Sequence, residues 1–365
     1  MSDWLHKIAI TLIPKVGPIT AKNLISYCGS IEAVFEARKR ELLKVPGIGE
    51  GIAAAILKKD YFEAAERELE FIEQQDIQPL FYLDDAYPNR LKSLENAPLL
   101  LYYKGSADLN HPRIVSVVGT RKPSTLGVAN CEQLISELKN YGILVVSGLA
   151  YGIDVTAHKK CLEENIETVG VLGHGLKKIY PAQHRQVAYK MLDNGGLLTE
   201  FTSDTHPDRE HFPMRNRIVA GMCDAVVVVE TAQKGGSMIT AFCANGYNKD
   251  VFAFPGRTND AHLQGCNHLI KTHKAALIES AKDIGYIMRW EELDERKEVQ
   301  LNLFHDLTVE EQSIVGILKE KNELGIDQLV YETQINNSQL ASLLLSLEFK
   351  GLLKTMPGKR YLLVK

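Results

Sequence analysis

The sequence predicts an α/β fold built on a central parallel sheet with helices on both faces, and three observations predict it. Apolar runs recur as IVSVVG (114–119), ILVVSG (143–148), TVGVLG (168–173), GLLTE (196–200), AVVVVE (225–230) and VFAFPG (251–256). They are near-continuous in Val, Ile and Leu, as a strand buried on both faces requires. Amphipathic stretches of about ten to fifteen residues separate most of them, which is the alternation of βαβ units. Residues 78–290 therefore read as an extended Rossmann-like domain, opened by an irregular bridge of short strands and Pro-marked turns over 78–106.

Two smaller units flank it. Within residues 1–77, IPKVGPITAKNLI (13–25) and VPGIGEGIAAAI (45–56) share one phrase: a helix end, a Gly-containing hairpin, then an Ala-rich amphipathic helix. This is a tandem helix-hairpin-helix, or SAM-like, pattern. Hairpin amides at a helix N-terminus can face a DNA phosphate, and a small module that only packs has the same pattern; both readings stand. An acidic linker follows the sheet at 291–305. Residues 306–365 then read as three helices and a hairpin around Pro357-Gly358, a winged helix, with Asn337 and Ser338 near the N-cap of the third helix. That helix offers only Lys350 as a base at its end, so a protein-interaction or dimer role suits this unit better than groove reading.

Composition narrows the function classes. Hydrophobic residues make up 45% and charged residues 24%, the balance of a folded globular chain rather than a disordered one. The start MSDWLHKIAI lacks a signal peptide's basic-then-apolar run, and no apolar stretch is long enough to span a bilayer. A cytoplasmic chain with no membrane partner is expected. Six cysteines without a CxxC pair read as free thiols, not a metal site. Net charge is −4, so any footprint for a polyanion is local. Residues 1–75 and 306–365 each net −1, whereas residues 111–290 net +3, which places that footprint on the central domain.

The chemistry sits at the carboxyl ends of the strands, where open α/β sheets bind ligands. Gly119-Thr120-Arg121, Ser147-Gly148 and Gly173-His174-Gly175 are glycine turns that let backbone amides approach an anion. HFPMRNRIVAG places Arg215, Asn216 and Arg217 at a helix start. One arginine is expected to pair with a buried carboxylate, Glu200 or Glu230, and the other to face the ligand. Arg121 is assigned to phosphate. KGGSMITA adds Lys234, Gly236 and Ser237 at another helix start. Walker A spacing is absent, and no G-x-G-x-x-G is followed by a ribose-binding acid, so neither ATP hydrolysis nor NAD is indicated and no cofactor is expected. Asp154 and His158, four apart on one helix, read as a capping and packing pair rather than acid/base machinery.

In order, VVGTR, VSGLAYGID..AH, VLGHGL...YP, FPMRNRIVAG, GGSMITA and PGR.......GCNHLI resemble the DNA-processing protein A (Smf) family over about residues 78–290. The flanking units resemble appendages of that family. The resemblance implies a dimeric, non-enzymatic protein of natural transformation and recombination. It would bind and protect incoming single-stranded DNA and help load the RecA recombinase in place of single-strand-binding protein. Carried over by position, the DNA contacts would be Arg121, the turn at Gly173 and Gly175, the segment around Tyr180, and Asn216 with Arg217. Two departures exist. Some members carry a lysine after the YP pair where this chain has Ala182, a charge that Lys177 or Lys178 would have to supply. The family's SGS phrase is GGS at 235–237.

The expected binder grips phosphates and stacks bases on Tyr180, with little base preference. The alternative is a nucleotide phosphoribohydrolase-type enzyme on the same scaffold, against which stands the lack of a Glu after the glycines of KGGSMITAFCANG.

Overall fold

The computed structural model describes residues 2–293, 307–321, 323–333, 335–350, 352–356 and 360–363. Residues 2–293 form one compact unit and the remainder a second. From residue 294 onward the expected acidic linker lies outside the described residues, as does the Pro357-Gly358 turn. The first residues of that linker are no tether. Arg113 donates to the Glu291 carbonyl at 2.7 Å, and Tyr141 donates to the Glu292 carboxylate at 3.2 Å.

The first unit is organised by a nine-stranded sheet. Its strands are β1 (Gln78–Phe81), β2 (Leu100–Gly105), β3 (Ile114–Val118), β4 (Leu144–Ser147), β5 (Thr168–Val171), β6 (Gly195–Thr199), β7 (Ala225–Val228), β8 (Asp250–Ala253) and β9 (Ala276–Leu277). They lie in the order β1-β2-β6-β5-β4-β3-β7-β8-β9. All six expected apolar runs are strands, and the sheet is parallel from β6 to β9, with β1 and β2 adding an antiparallel edge. The period-2 pleat divides each central strand between two cores. Ile114 and Val118 of β3 join Leu144, Val146, Val226 and Val228 on one face, whereas Val115 and Val117 join Val145, Ala225 and Val227 on the other. Burial on both faces is why these runs read as unbroken hydrophobes.

The helical N-terminal region repeats itself in three dimensions. Gly17 and Gly49 open the helices Pro18–Cys28 and Glu50–Lys58 with nearly the same backbone angles, φ −90°, ψ 178° and φ −95°, ψ 175°. Val16 donates to Ile13, and Ile48 to Val45, both at 3.1 Å. The region does not end at residue 77 as a separate core. Ile8, Leu24, Leu42 and Ile56 pack in one cluster with Phe81, Leu99, Leu100 and Tyr102 of the sheet edge.

The second unit has helices Val309–Lys321, Ile326–Thr333 and Asn337–Phe349, with strands β10 (Glu323–Gly325), β11 (Leu353–Met356) and β12 (Arg360–Leu363) in the order β10-β12-β11. The short strand β10 between the first two helices is an addition to the expected plan. The N-cap of the third helix is Asn336, whose side chain accepts from the Gln339 amide at 2.9 Å.

Candidate functional site

The connection after β3 runs to β4 on one side, whereas β7 on its other side is reached from β6, so the connections diverge at β3 and open a crevice. A cleft of about 540 Å³ occupies that point. Its wall includes Gly119, Thr120 and Arg121 after β3, Gly148 after β4, Arg215 and Asn216, and Gly236 and Ser237. Gly173 lines an adjoining recess together with Arg121, Tyr180 and Phe212. Four separate segments, spread over more than a hundred residues, thus meet around one opening.

Local structure explains each position. The helix His211–Gly221 begins a full turn before Arg215. The expectation that Arg215, Asn216 and Arg217 start a helix is therefore corrected: their amides lie inside the hydrogen-bond ladder, and only their side chains are available to a ligand. Ser116 of β3 donates to the Val219 carbonyl at 2.7 Å and fixes this helix against the sheet. Conversely, Gly236 and Ser237 do open a helix, Gly236–Gly246, so their amides fall among those a helix leaves unpaired.

The two arginines have different duties. Arg217 donates to the Glu200 carboxylate and, at 2.7 Å, to the Asn96 carbonyl. It is the carboxylate partner anticipated among the pair, and it is not in the cleft wall. Arg215 is buried and donates to the carbonyls of Gly148 and Val171, fastening the ends of β4 and β5. A Cβ on residue 148 would lie 2.3 Å from its guanidinium, so this grip requires glycine. Burial lowers the Arg215 pKa to about 10, opposed by the charge of Asp154, so the group stays cationic at neutral pH. Burial likewise pushes the Asp154 carboxyl up, against the pull of Arg215 and the Ala150 amide. Among the described residues Glu230 takes no arginine; it accepts from the Ser124 hydroxyl at 2.7 Å and the Ser124 amide at 3.1 Å.

Arg121 and Arg209 are the exposed cations of the wall, and Arg121 stands over an aromatic ring. Its guanidinium lies 5.2 Å from the centre of the Phe212 ring, and the Tyr180 ring, 48% exposed, lies 6.1 Å from Phe212 on the same wall. His174 holds the Tyr180 backbone, with Nε2 3.3 Å from the Tyr180 amide and Nδ1 2.8 Å from the Gly175 carbonyl. Burial lowers the His174 pKa, which keeps the ring neutral and able to accept at Nε2. Asn216 donates to the Gly236 carbonyl at 3.4 Å and joins two cleft segments.

Other expected site residues are placed elsewhere. Ser147 is fully buried and donates to the Val117 carbonyl at 2.6 Å, a bond between β4 and β3. Gly175 packs beneath the segment that follows β6, and Lys177 pairs with Asp204 at 2.6 Å over a different recess. Lys234 is exposed outside the cleft wall. Asp154 lines the cleft, but His158 is buried beneath it, with Nδ1 2.7 Å from the Thr168 hydroxyl and its pKa driven to about 3 by burial, His184 and Arg215. Sequence reasoning missed Arg209 and Phe212, both in the wall. Phe212 stood inside the quoted HFPMRNR phrase, where an aromatic three residues before a basic pair was a usable signal. Among the described residues no His, Cys, Asp and Glu group could hold a metal, and no helix is long and apolar enough to cross a membrane.

Fold and cleft together define a Rossmann-like α/β protein with an arginine- and aromatic-walled, glycine-edged crevice, carrying a paired-hairpin helical region and a winged helix. Comparison with known proteins gives the family. Residues 78–289 match the DNA recombination-mediator protein A family, residues 9–69 the helix-hairpin-helix motif, and residues 305–359 the DprA winged helix domain. The chain belongs to the DNA recombination-mediator protein A (DprA/Smf) family. It is 31% identical to protein Smf of Synechocystis over 99% of this chain and 98% of that protein. It is 38% identical to the DNA processing protein DprA of Streptococcus pneumoniae over 63% of this chain and 80% of that protein. The crystal structure of DNA processing protein A from S. pneumoniae superposes with a TM-score of 0.68 at 32% identity, covering 79% of this chain and 97% of that one. A structure of the Helicobacter pylori protein, described for its unique single-stranded DNA binding mode, superposes with a TM-score of 0.53 at 28% identity, over 59% and 97%.

Proposed function

We propose that this chain binds single-stranded DNA across the β3–β7 cleft, independently of sequence, and serves DNA recombination in the cytoplasm. The observation that carries the reading is the wall where Arg121, Phe212 and Tyr180 stand together beside the amides of Gly236 and Ser237. A guanidinium and helix-start amides suit phosphates, and two half-open rings suit the faces of unpaired bases. A duplex hides those faces. The H. pylori relative with its single-stranded DNA binding mode supports the same ligand class. Within this reading Arg121, Thr120, Asn216, Arg209 and the glycine turns at 119, 148, 173 and 236 contact the backbone, while Arg215 shapes the wall and Arg217 is tied to Glu200 outside it.

As a member of its family the chain would act as a homodimer that protects incoming single strands in transformation and hands them to RecA. Its role is binding, not turnover. Among the described residues Asp154 is the one carboxylate in the cleft wall, and it is spent on the Ala150 amide and the charge of Arg215. Affinity for oligo-dT against duplex of equal length, measured across a salt series, tests the proposal. Tighter binding to oligo-dT with a steep salt dependence is expected, and equal affinity for duplex would overturn it. Release of adenine from AMP would instead establish the phosphoribohydrolase alternative.

A further inference from the structure

A buried carboxylate of the N-terminal helical region reaches the segment that builds one side of the cleft. Glu68, on the helix Phe62–Gln74, is only 6% exposed. Its carboxylate accepts from the Ser203 hydroxyl at 2.6 Å and from the Ser203 amide at 2.9 Å. Three hydrogen bonds from one residue to a carboxylate 135 positions away in the chain make this a designed contact, not a surface coincidence. Burial raises the Glu68 pKa, with the Ser203 bonds working against it.

Ser203 sits in the connection between β6 and the helix His211–Gly221, which carries Arg209 and delivers Phe212 to the wall. The connection has no regular structure, so its course depends on a few ties. Arg217 holds its start at Glu200. The Gly175 amide donates to Thr205 at 3.0 Å, and a Cβ on residue 175 would lie 2.1 Å from the Thr202 carbonyl oxygen. The Phe201 and His211 rings, 4.4 Å apart, close its two ends on each other. Glu68 is the tie that comes from outside the sheet domain. Without it the buried Ser203 amide and hydroxyl lose their acceptor, and the segment must move to find water.

We infer that Glu68 is a positioning residue for the cleft, and that through it the helical region sets where Arg209 stands. The inference rests on the DNA reading for its functional consequence but not for the latch itself. Glu68→Ala is expected to raise amide exchange over 203–212 in the free full-length protein by about tenfold, and to weaken oligo-dT binding about fivefold. On an Arg209→Ala background the further loss should fall below about twofold, because the residue that Glu68 positions is gone. Glu68→Gln, which keeps one acceptor for Ser203, should recover most of the affinity; a role confined to stability would lower the melting temperature without this dependence on Arg209. Unchanged exchange over 203–212 in Glu68→Ala would overturn the latch whatever the ligand. An affinity loss of equal size with and without Arg209 would overturn the positioning role. If the wild-type chain fails to hold oligo-dT, the DNA reading fails, and the exchange measurement still decides the latch.

Discussion

The cleft and the winged helix each present basic residues beside a strand end, yet they spend them differently. At the cleft, Arg121 is left over an aromatic ring with no carboxylate partner among the described residues. In the winged helix, Lys350 closes the third helix by donating to the buried Glu311 at 2.8 Å, with Ser346 donating to the same carboxylate. The lesson is that a cation counts toward a polyanion only when the fold has not already consumed it. Arg217 and Lys177 repeat that lesson inside the sheet domain, where Glu200 and Asp204 hold them.

The comparison is broken most severely at Arg215. Arg215→Ala leaves Asp154 buried without its countercharge and two strand-end carbonyls without donors, at a cost of about 3–5 kcal/mol. Thermal denaturation should show it as a large fall in melting temperature, with DNA binding lost together with the structure. Arg121→Ala should do the opposite. About tenfold weaker oligo-dT binding is expected with an unchanged melting temperature, and the slope of log K against log salt should flatten by about 0.7, the share of one phosphate.

Tyr180→Ala probes the stacking half of the wall. It should cost about 1–2 kcal/mol of affinity for oligo-dT and almost nothing for an abasic strand of the same charge. A similar loss on both strands would assign Tyr180 to packing. The smallest effect belongs to Lys350→Ala, which should leave oligo-dT affinity unchanged and destabilise its own unit by about 1–2 kcal/mol, between a surface and a buried pair. Its signature is pH. Burial pushes the Glu311 carboxyl up, but the bonds from Lys350, the Thr308 amide and Ser346 outweigh it and hold the pKa near 2. Because the folded pKa is depressed below the unfolded value of about 4.3, the stabilisation is present above that value and is lost as pH falls toward 2. Acid unfolding followed by hydrogen exchange over 309–349 should show a shallower loss in the Lys350→Ala protein.

Much of this was legible beforehand, and the reasons are local. Strands buried on both faces cannot alternate, so six Val- and Ile-rich runs announced six parallel strands. The hairpins repeat because Gly17 and Gly49 each follow a short apolar turn at the same spacing. The start of the RNR helix was misplaced because His211 to Met214 carries no strong N-cap, and Glu210 caps without a side-chain bond. That the helical region shares its core with Phe81, Leu99 and Tyr102 across residue 77 is a fact of packing with no local mark.

By itself the sequence determined the strands, the order of the glycine turns and the set of residues that could meet at the carboxyl edge. Those follow from period, propensity and chain order. Which arginine would be free was decided only in three dimensions. Arg121, Arg215 and Arg217 are chemically alike, and their roles diverge because Glu200 reaches one, two strand-end carbonyls reach another, and among the described residues the third meets an aromatic ring and no carboxylate. The same holds for Glu68, whose partner lies 135 residues away. A side chain's partner is set by long-range closure of the fold, and that closure carries no signature at short range.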